Sequence, residues 1–363
     1  MDFTQERVAT LHDYGDANPS MPTQRTALVV PMTDRDAGSL AADRFLSSLS
    51  TLSLARVVVP ISAPRERIGS IVDWLDEYET PVEPLWCDGP AVEALLDESG
   101  LDGESGKGRD VWLGIGLADD AEIVALHDAD VTTNGALDVR KLLAPLDGEV
   151  AFSKAYYARV ENGRLYGRLF RLLYEPLVAT LERAHDEPIL SYLGAFRYAL
   201  SGEFAMTADL ARGMRVPRRW GLEVGTLGEA YDAAGVAGTA QVDLGRYEHD
   251  HRAVTGPTGL SQMAVGVAQT LLRAVEEHGV ELDYGTLPGR YRDRADEFVR
   301  RYRADAVFND MDFDAAAERD QVRSYATAIE APGSADALPP WSEPPFEPSR
   351  LRRAVRDDLD RTQ

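Results

Sequence analysis

Two aspartates, Asp128 and Asp130, close the stretch EIVALHDADV at residues 122–131, directly after an apolar run that a chain can bury as a strand. Paired carboxylates at the carboxyl edge of such a strand can hold a hard divalent cation, Mg2+ or Mn2+, against a nucleotide diphosphate. Strand alternation would place both side chains on one face. The bland alternative is a solvated turn in an acidic chain. About twenty residues earlier, SGKGRDVW opens a helix with Lys107 between Gly106 and Gly108, a place where backbone can approach a ligand and an ammonium can meet a phosphate. The spacing is not that of a P-loop, and no G-x-G-x-x-G follows the first strand, so a plain glycine-rich loop is the competing reading. Glu223 in RRWGLEVGTL stands at a helix start, where a carboxylate also serves as a simple cap. His249 and His251 in GRYEHDHR share a face if their strand continues, and are otherwise two exposed histidines.

The elements that must position these residues alternate from residue 26 onward. TALVVP (26–31), ARVVVPIS (55–62), PVEPLWC (81–87) and AEIVALHDAD (121–130) read as strands, the third edge-like because of its prolines. Helical segments separate them, including RERIGSIVDWLDEY and VWLGIGLA. This rhythm predicts an α/β, mostly parallel, doubly wound sheet. Ligands in such sheets sit beyond the carboxyl ends of the strands, where Pro31, Ser62 and Asp128 fall. The expected division is an N-terminal helical segment over 1–25, an α/β half over 26–150 and a second, mixed half over 151–255. A helical C-terminal region over 256–363, with a proline-rich linker at 331–349, completes it. A turn is expected at Asn162-Gly163 and a further strand over 238–252.

Taken in order over residues 26–252, PMTDRD, GKG, DAD, KAYYAR, NGRLY, LSGE, WGLEVGTL and LGRYEH resemble the glucosyl-3-phosphoglycerate synthases, whose relatives make mannosyl-3-phosphoglycerate. The family pattern runs PALNEE, GKG, D-x-D, K-x-x-Y-x-R, GGRVT, LAGE, an aromatic-GxE-x-G-LL helix and LGxxxH. The resemblance implies a GT-A fold with a helical C-terminal extension, in which 26–150 is the nucleotide-sugar-binding half and 151–255 the acceptor-binding, metal-completing half. It also implies a metal-dependent, retaining transfer of glucose or mannose from a UDP- or GDP-hexose to 3-phosphoglycerate or a similar small anion, in compatible-solute synthesis, with Mg2+ or Mn2+ as cofactor. Asp128 would contact the nucleotide, and Asp130 with His249 would bind the metal, the LGxxxH spacing selecting His249 over His251. Lys107 would meet the donor phosphate and Glu223 the sugar hydroxyls, with Leu200, Ser201 and Gly202 as a backbone wall near the anomeric carbon. Pro31, Met32, Thr33, Arg35 and Ser62 would bracket base and ribose; Arg164, with Tyr166 and Lys154, would hold the acceptor.

Departures from the pattern leave parts of this open. Arg35 stands where the family has an acidic residue, so uridine and guanosine both remain. Tyr166 replaces the threonine of GGRVT, and the segment from Arg164 to Leu200 is longer than usual, which leaves the acceptor open. The alternatives are a glycan or polyprenyl-phosphate acceptor, or a catalytically silent nucleotide-sugar-binding protein. The first, in its lipid form, lacks a basic amphipathic segment; the second sits poorly with intact Asp128, Asp130, Glu223 and His249.

Charge bounds the rest. The chain carries 38 basic and 61 acidic residues, a net of −23, dispersed rather than blocked. Its only lysines are Lys107, Lys141 and Lys154. No basic face is available for nucleic acid. No run reaches the ~20 apolar residues of a membrane span, and the start lacks a signal peptide's pattern, so a cytoplasmic protein is expected. The single cysteine, Cys87, reads as a buried thiol. The C-terminal helices either complete the core or form a homodimer interface. Dense carboxylates with almost no lysine point to adaptation to molar salt. Thermal unfolding followed from low salt to ~2 M KCl is expected to shift upward as repulsion is screened; a flat or falling melting temperature contradicts a halophilic surface.

Overall fold

The computed structural model describes residues 6–13, 19, 21, 23–133, 135–248 and 257–362, with side chains from 261 onward in the last stretch. In chain order the strands are β1 (Ala9–Leu11), β2 (Thr26–Val29), β3 (Met32–Thr33), β4 (Arg56–Ser62), β5 (Val82–Trp86), β6 (Ile123–Leu126) and β7 (Phe152–Ala158). They continue with β8 (Val160–Glu161), β9 (Arg164–Leu165), β10 (Phe204–Thr207), β11 (Val216–Pro217), β12 (Thr239–Arg246) and β13 (Ala337–Leu338). Nine of these form one sheet in the order β1-β12-β7-β10-β6-β2-β4-β3, with β5 also on β4. Every pairing is parallel except those of β10, which runs antiparallel between β6 and β7. This is the α/β, mostly parallel arrangement that the alternating pattern predicts, and it fits the GT-A fold that the resemblance implies.

Burial explains the runs. All four residues of β2 and all four of β6 are buried, as are Val57, Val58 and Val59 of β4, so these central strands are apolar throughout rather than alternating. Cys87 is fully buried at the end of β5, and that strand pairs on one side only, as its prolines predict. Asn162 (φ 48°) and Gly163 (φ 69°) make the left-handed pair of the expected tight turn between β8 and β9.

Two expectations are corrected. The N-terminal segment is not helical where described: Ala9–Leu11 adds a parallel strand to β12 and Thr23–Arg25 is a single 3-10 turn. Thr10 and its neighbours win their hydrogen bonds from an otherwise open sheet edge, which a short isolated helix could not match. Nor is 331–349 a free linker. Trp341 is buried, stacks on Trp112 with centroids 4.4 Å apart and donates its indole N–H to the Trp112 carbonyl at 2.8 Å. Leu338 pairs with Val216, and Phe346 closes the cluster edge-on. Prolines set the extended path, and buried aromatics then fix it to the nucleotide-side half. The helix Pro348–Asp360 follows, and Asp358 accepts from the backbone N–H groups of Ala91 and Val92 at 2.8–3.0 Å, capping the helix Pro90–Glu98.

Candidate active site

The neighbouring parallel strands β6, β2 and β4 release their chains at one edge of the sheet, bringing the 127–130 segment, Pro31 and Ser62 to the same side. The strand β6 stops at Leu126, so Asp128 and Asp130 lie in the loop beyond it, not on a continuing strand as the alternation predicts. Two half-buried like charges could not share a strand face cheaply; the loop lets the chain turn one of them toward a cation.

That cation is Lys107, the first residue of the helix Lys107–Leu117. Its Nζ lies 2.7 Å from Asp128 Oδ1 and 3.3 Å from Glu223 Oε1, and Glu223 sits in the first turn of the helix Leu222–Ala234. Burial alone would lower the ammonium's pKa, but Asp128 and Glu223 outweigh it and the net shift is upward. The glycines around Lys107 have a different use from the one expected. A Cβ on Gly108 would fall 1.7 Å from the Pro217 carbonyl oxygen, and one on Gly106 3.0 Å from Arg219 Cα. They let the helix start press against the 217–219 backbone, where Arg109 N–H donates to the Arg218 carbonyl at 2.8 Å. The glycines thus serve packing between two protein segments, which carries Lys107 and Glu223 to within reach of each other.

Behind this knot lies the segment Leu200–Gly202. A Cβ on Gly202 would sit 2.2 Å from Asp128 Oδ2, so only glycine lets the wall and the carboxylate touch. Ser201 is buried, its Oγ donating to the Ala155 carbonyl at 2.6 Å. Lys154 departs from its expected place at the acceptor: it is fully buried under the wall and donates to the Ser201 carbonyl at 2.7 Å. Glu203, also fully buried, is shifted toward its neutral form by burial and by Asp128.

Asp130 is likewise pushed upward, first by burial and then by the charges of Asp128 and Asp36. A carboxyl held among like charges with too little compensation is what a divalent cation would relieve, and oxygen donors suit Mg2+ or Mn2+. Among the described residues no set of three or more His, Cys, Asp or Glu side chains is arranged around a metal position. His249 and His251 lie outside the described residues.

On the nucleotide side, Met32 is buried, Pro31 half-buried, and Thr33 and Arg35 exposed. Thr33 gives its N–H and hydroxyl to Asp36 Oδ2 at 2.7 and 2.9 Å. Ser62 donates to Asp88 Oδ2 at 2.9 Å, and Asp88 is held in turn by the Arg109 guanidinium at 2.7 Å. On the other side Arg164 is exposed on the β8–β9 hairpin and pairs with Asp312 at 3.5 Å; Asp312 N–H also donates to the Gly163 carbonyl. The carbonyl of Tyr166 accepts from Arg171 Nε, and Arg171 is locked to Glu318 at 3.0 Å.

The sequence reading passed over several of these groups. Asp36, Asp88 with Arg109, and Glu203 all stand within or beside the quoted motifs, yet only the structure shows their places: Asp36 accepts from Thr33, Asp88 joins Ser62 to Arg109, and Glu203 is fully buried. Arg159, in KAYYAR, is another: its charge bears on Asp130 and its Nη1 reaches Tyr198 OH at 3.4 Å. His127 was also missed. It stacks on Phe45 at 4.3 Å; its Nδ1–H donates to the Asp128 carbonyl at 3.0 Å and Nε2 accepts from Tyr247 OH at 3.1 Å. These bonds fix the neutral tautomer.

Comparison with known proteins adds an independent line. The chain is 32% identical over 367 residues to the glucosyl-3-phosphoglycerate synthase of Methanococcoides burtonii, covering 92% of this chain and 89% of that protein. It is 35% identical over 337 residues to the synthase of Persephonella marina, covering 84% and 83%. The glucosyl-3-phosphoglycerate synthase of Mycobacterium tuberculosis, solved with Mg2+ and UDP, superposes with a TM-score of 0.57 at 23% identity, covering 76% of this chain and 88% of that one. The same enzyme with Mn2+, UDP-glucose and glycerol 3-phosphate gives 0.55 at 22%, covering 76% and 90%. These structures share the fold. No family model matches the chain.

Burial pulls the His127 pKa down to about 4 against the opposing pull of the Asp128 carbonyl. A base depressed from about 6.5 on folding stabilises above 6.5 and loses that contribution as pH falls toward 4. Urea unfolding of wild type and His127→Phe is expected to show their stability difference shrinking by about 3 kcal/mol from pH 7 to pH 4. An unchanged difference would mean that His127 titrates in the folded chain as it does in the unfolded one.

Proposed function

Since the chain belongs to the glucosyl-3-phosphoglycerate synthase family, we propose that it moves a hexosyl group from a nucleotide diphosphate sugar to 3-phosphoglycerate, with UDP-glucose as the donor. Extended identity to the curated synthases carries the reading. The convergence of Lys107, Asp128 and Glu223 at the carboxyl edge of the sheet supports it.

In this reading Asp130 and His249 would hold Mg2+ or Mn2+, with Asp128 at the nucleotide. The ion, when bound, offsets charge growing on the departing diphosphate. Lys107 is the chain's own contribution to the same task. In the free protein its ammonium is divided between two carboxylates; with donor bound, a phosphate oxygen takes part of that hold, and Glu223 is released toward sugar hydroxyls. Pro31, Met32, Thr33 and Ser62 lie along the base and ribose. Arg35, exposed on the same segment, belongs with them in this reading. Leu200–Gly202 closes the face of the donor sugar. Arg164 offers a guanidinium fork to the acceptor's carboxylate or phosphate, with Tyr166 beside it, exchanging Asp312 for the ligand.

The test is a donor-by-acceptor screen with UDP- and GDP-hexoses, 3-phosphoglycerate, glycerol 3-phosphate and neutral glycerol, in KCl with Mn2+ or Mg2+. Glucosyl-3-phosphoglycerate from UDP-glucose, lost on metal chelation, is the expected product. In the same assay Arg164→Ala is expected to raise the phosphoglycerate KM about ten- to hundredfold, the worth of one charge-assisted hydrogen bond, with nucleotide affinity unchanged. Transfer only to a glycan or lipid phosphate, or equal loss of nucleotide binding in Arg164→Ala, would overturn the acceptor assignment.

A further inference from the structure

Lys154 is one of three lysines in the chain, and it is placed where an ammonium is costly. It stands on β7 with none of its surface exposed, Nζ 2.7 Å from the Ser201 carbonyl and 4.9 Å from the centre of the Phe204 ring. Burial pulls its pKa down to about 8, while Glu223 and Glu203 oppose that fall, so the group remains cationic at neutral pH. The charged groups that bear on it are Glu223, Glu203, Lys107 and Asp128, which belong to the candidate active site. A lysine kept for solubility would be on the surface, and one kept for packing alone could be Met or Leu at lower cost.

The segment it holds is short and tightly fixed. Ser201 N–H donates to the Tyr198 carbonyl at 3.2 Å, and Ser201 Oγ to the Ala155 carbonyl at 2.6 Å. With the Ser201 carbonyl committed to Lys154, the planar peptide between Ser201 and Gly202 has one orientation. Gly202 follows at once, with the Asp128 carboxylate against its Cα where a Cβ would stand. Turning that peptide would move the wall and Asp128 together.

We propose that Lys154 is a positioning residue for hexosyl transfer: its buried ammonium sets the Ser201–Gly202 peptide plane and so fixes the wall that the donor sugar meets beside Asp128. This rests on the proposed function, in which Leu200–Gly202 closes the face of the donor sugar. Lys154 itself touches neither substrate. Its loss therefore acts on the geometry of the reacting complex rather than on donor binding.

The test compares Lys154→Met, which fills the space without a donor, with Lys154→Gln, which keeps an N–H for the Ser201 carbonyl. Transfer from UDP-glucose to 3-phosphoglycerate is followed with separate kcat and KM for each substrate, alongside UDP affinity and thermal unfolding. Lys154→Met is expected to lose about 100-fold in kcat, the scale of an ångström of misplacement, with donor KM and UDP affinity within twofold of wild type. Lys154→Gln is expected to recover to about three- to tenfold below wild type, since its shorter, neutral amide can still orient the peptide but less firmly than the ammonium. If Lys154→Met does not fold, Lys154→Gln decides: a lowered kcat at unchanged donor KM supports the assignment. Wild-type kcat in either folded variant overturns it, as does a loss that follows UDP affinity, or failure of both variants to fold. Absence of transfer in wild type would fail the proposed function instead, so the two failures are distinguishable.

Discussion

The ammonium of Lys107, held between Asp128 and Glu223, is the interaction on which the candidate site depends. The chain is acidic to a net of −23, and Asp128, Asp130, Asp36, Glu203 and Glu223 gather around this site. Left alone, such a cluster would either protonate or push its walls apart. Lys107 joins two helices, Lys107–Leu117 and Leu222–Ala234, to the loop after β6. Each of the three comes from a different part of the sequence.

Much of the remaining architecture serves to keep that knot in place. Gly108 allows the helix bearing Lys107 to press on the 217–219 backbone, and β11 on the same segment pairs with β13 of the C-terminal region. Trp341 then seats that region on Trp112, one turn and a half along the same helix. From below, Lys154 and the buried Ser201 hold the wall that Gly202 lets approach Asp128. The three lysines are informative as a set: Lys107 is paired with Asp128, Lys154 is buried against the Ser201 carbonyl, and Lys141 is buried against Asp13 at 2.9 Å. Surface cations are arginines, which keep their charge and bind carboxylates in two places at once.

The sequence was most legible where local rules act alone. Apolar runs marked β2, β4 and β6, prolines marked β5 as an edge, and Asn162-Gly163 marked a left-handed turn. Ordered short motifs brought Lys107, Asp128, Glu223 and the Leu200–Gly202 segment into view before any coordinates did. What stayed hidden was long-range. Nothing near Ala9–Leu11 announces that β12 offers an open edge, and nothing near Trp341 announces Trp112, 229 residues away. Lys154 illustrates the limit best: a lysine in a strand reads as a ligand contact, and only its burial against the Ser201 carbonyl gives it another task.

The direct measurement of the central claim is calorimetric titration of UDP, with Mn2+ present, into wild type and Lys107→Met at equal salt. If the ammonium between Asp128 and Glu223 is the donor-phosphate contact, removing it should raise the UDP Kd at least about tenfold, the loss of one hydrogen bond to a charged group, while the protein stays folded. A Kd within twofold of wild type in a folded Lys107→Met protein would contradict the claim and leave Lys107 a purely structural tie between two carboxylates.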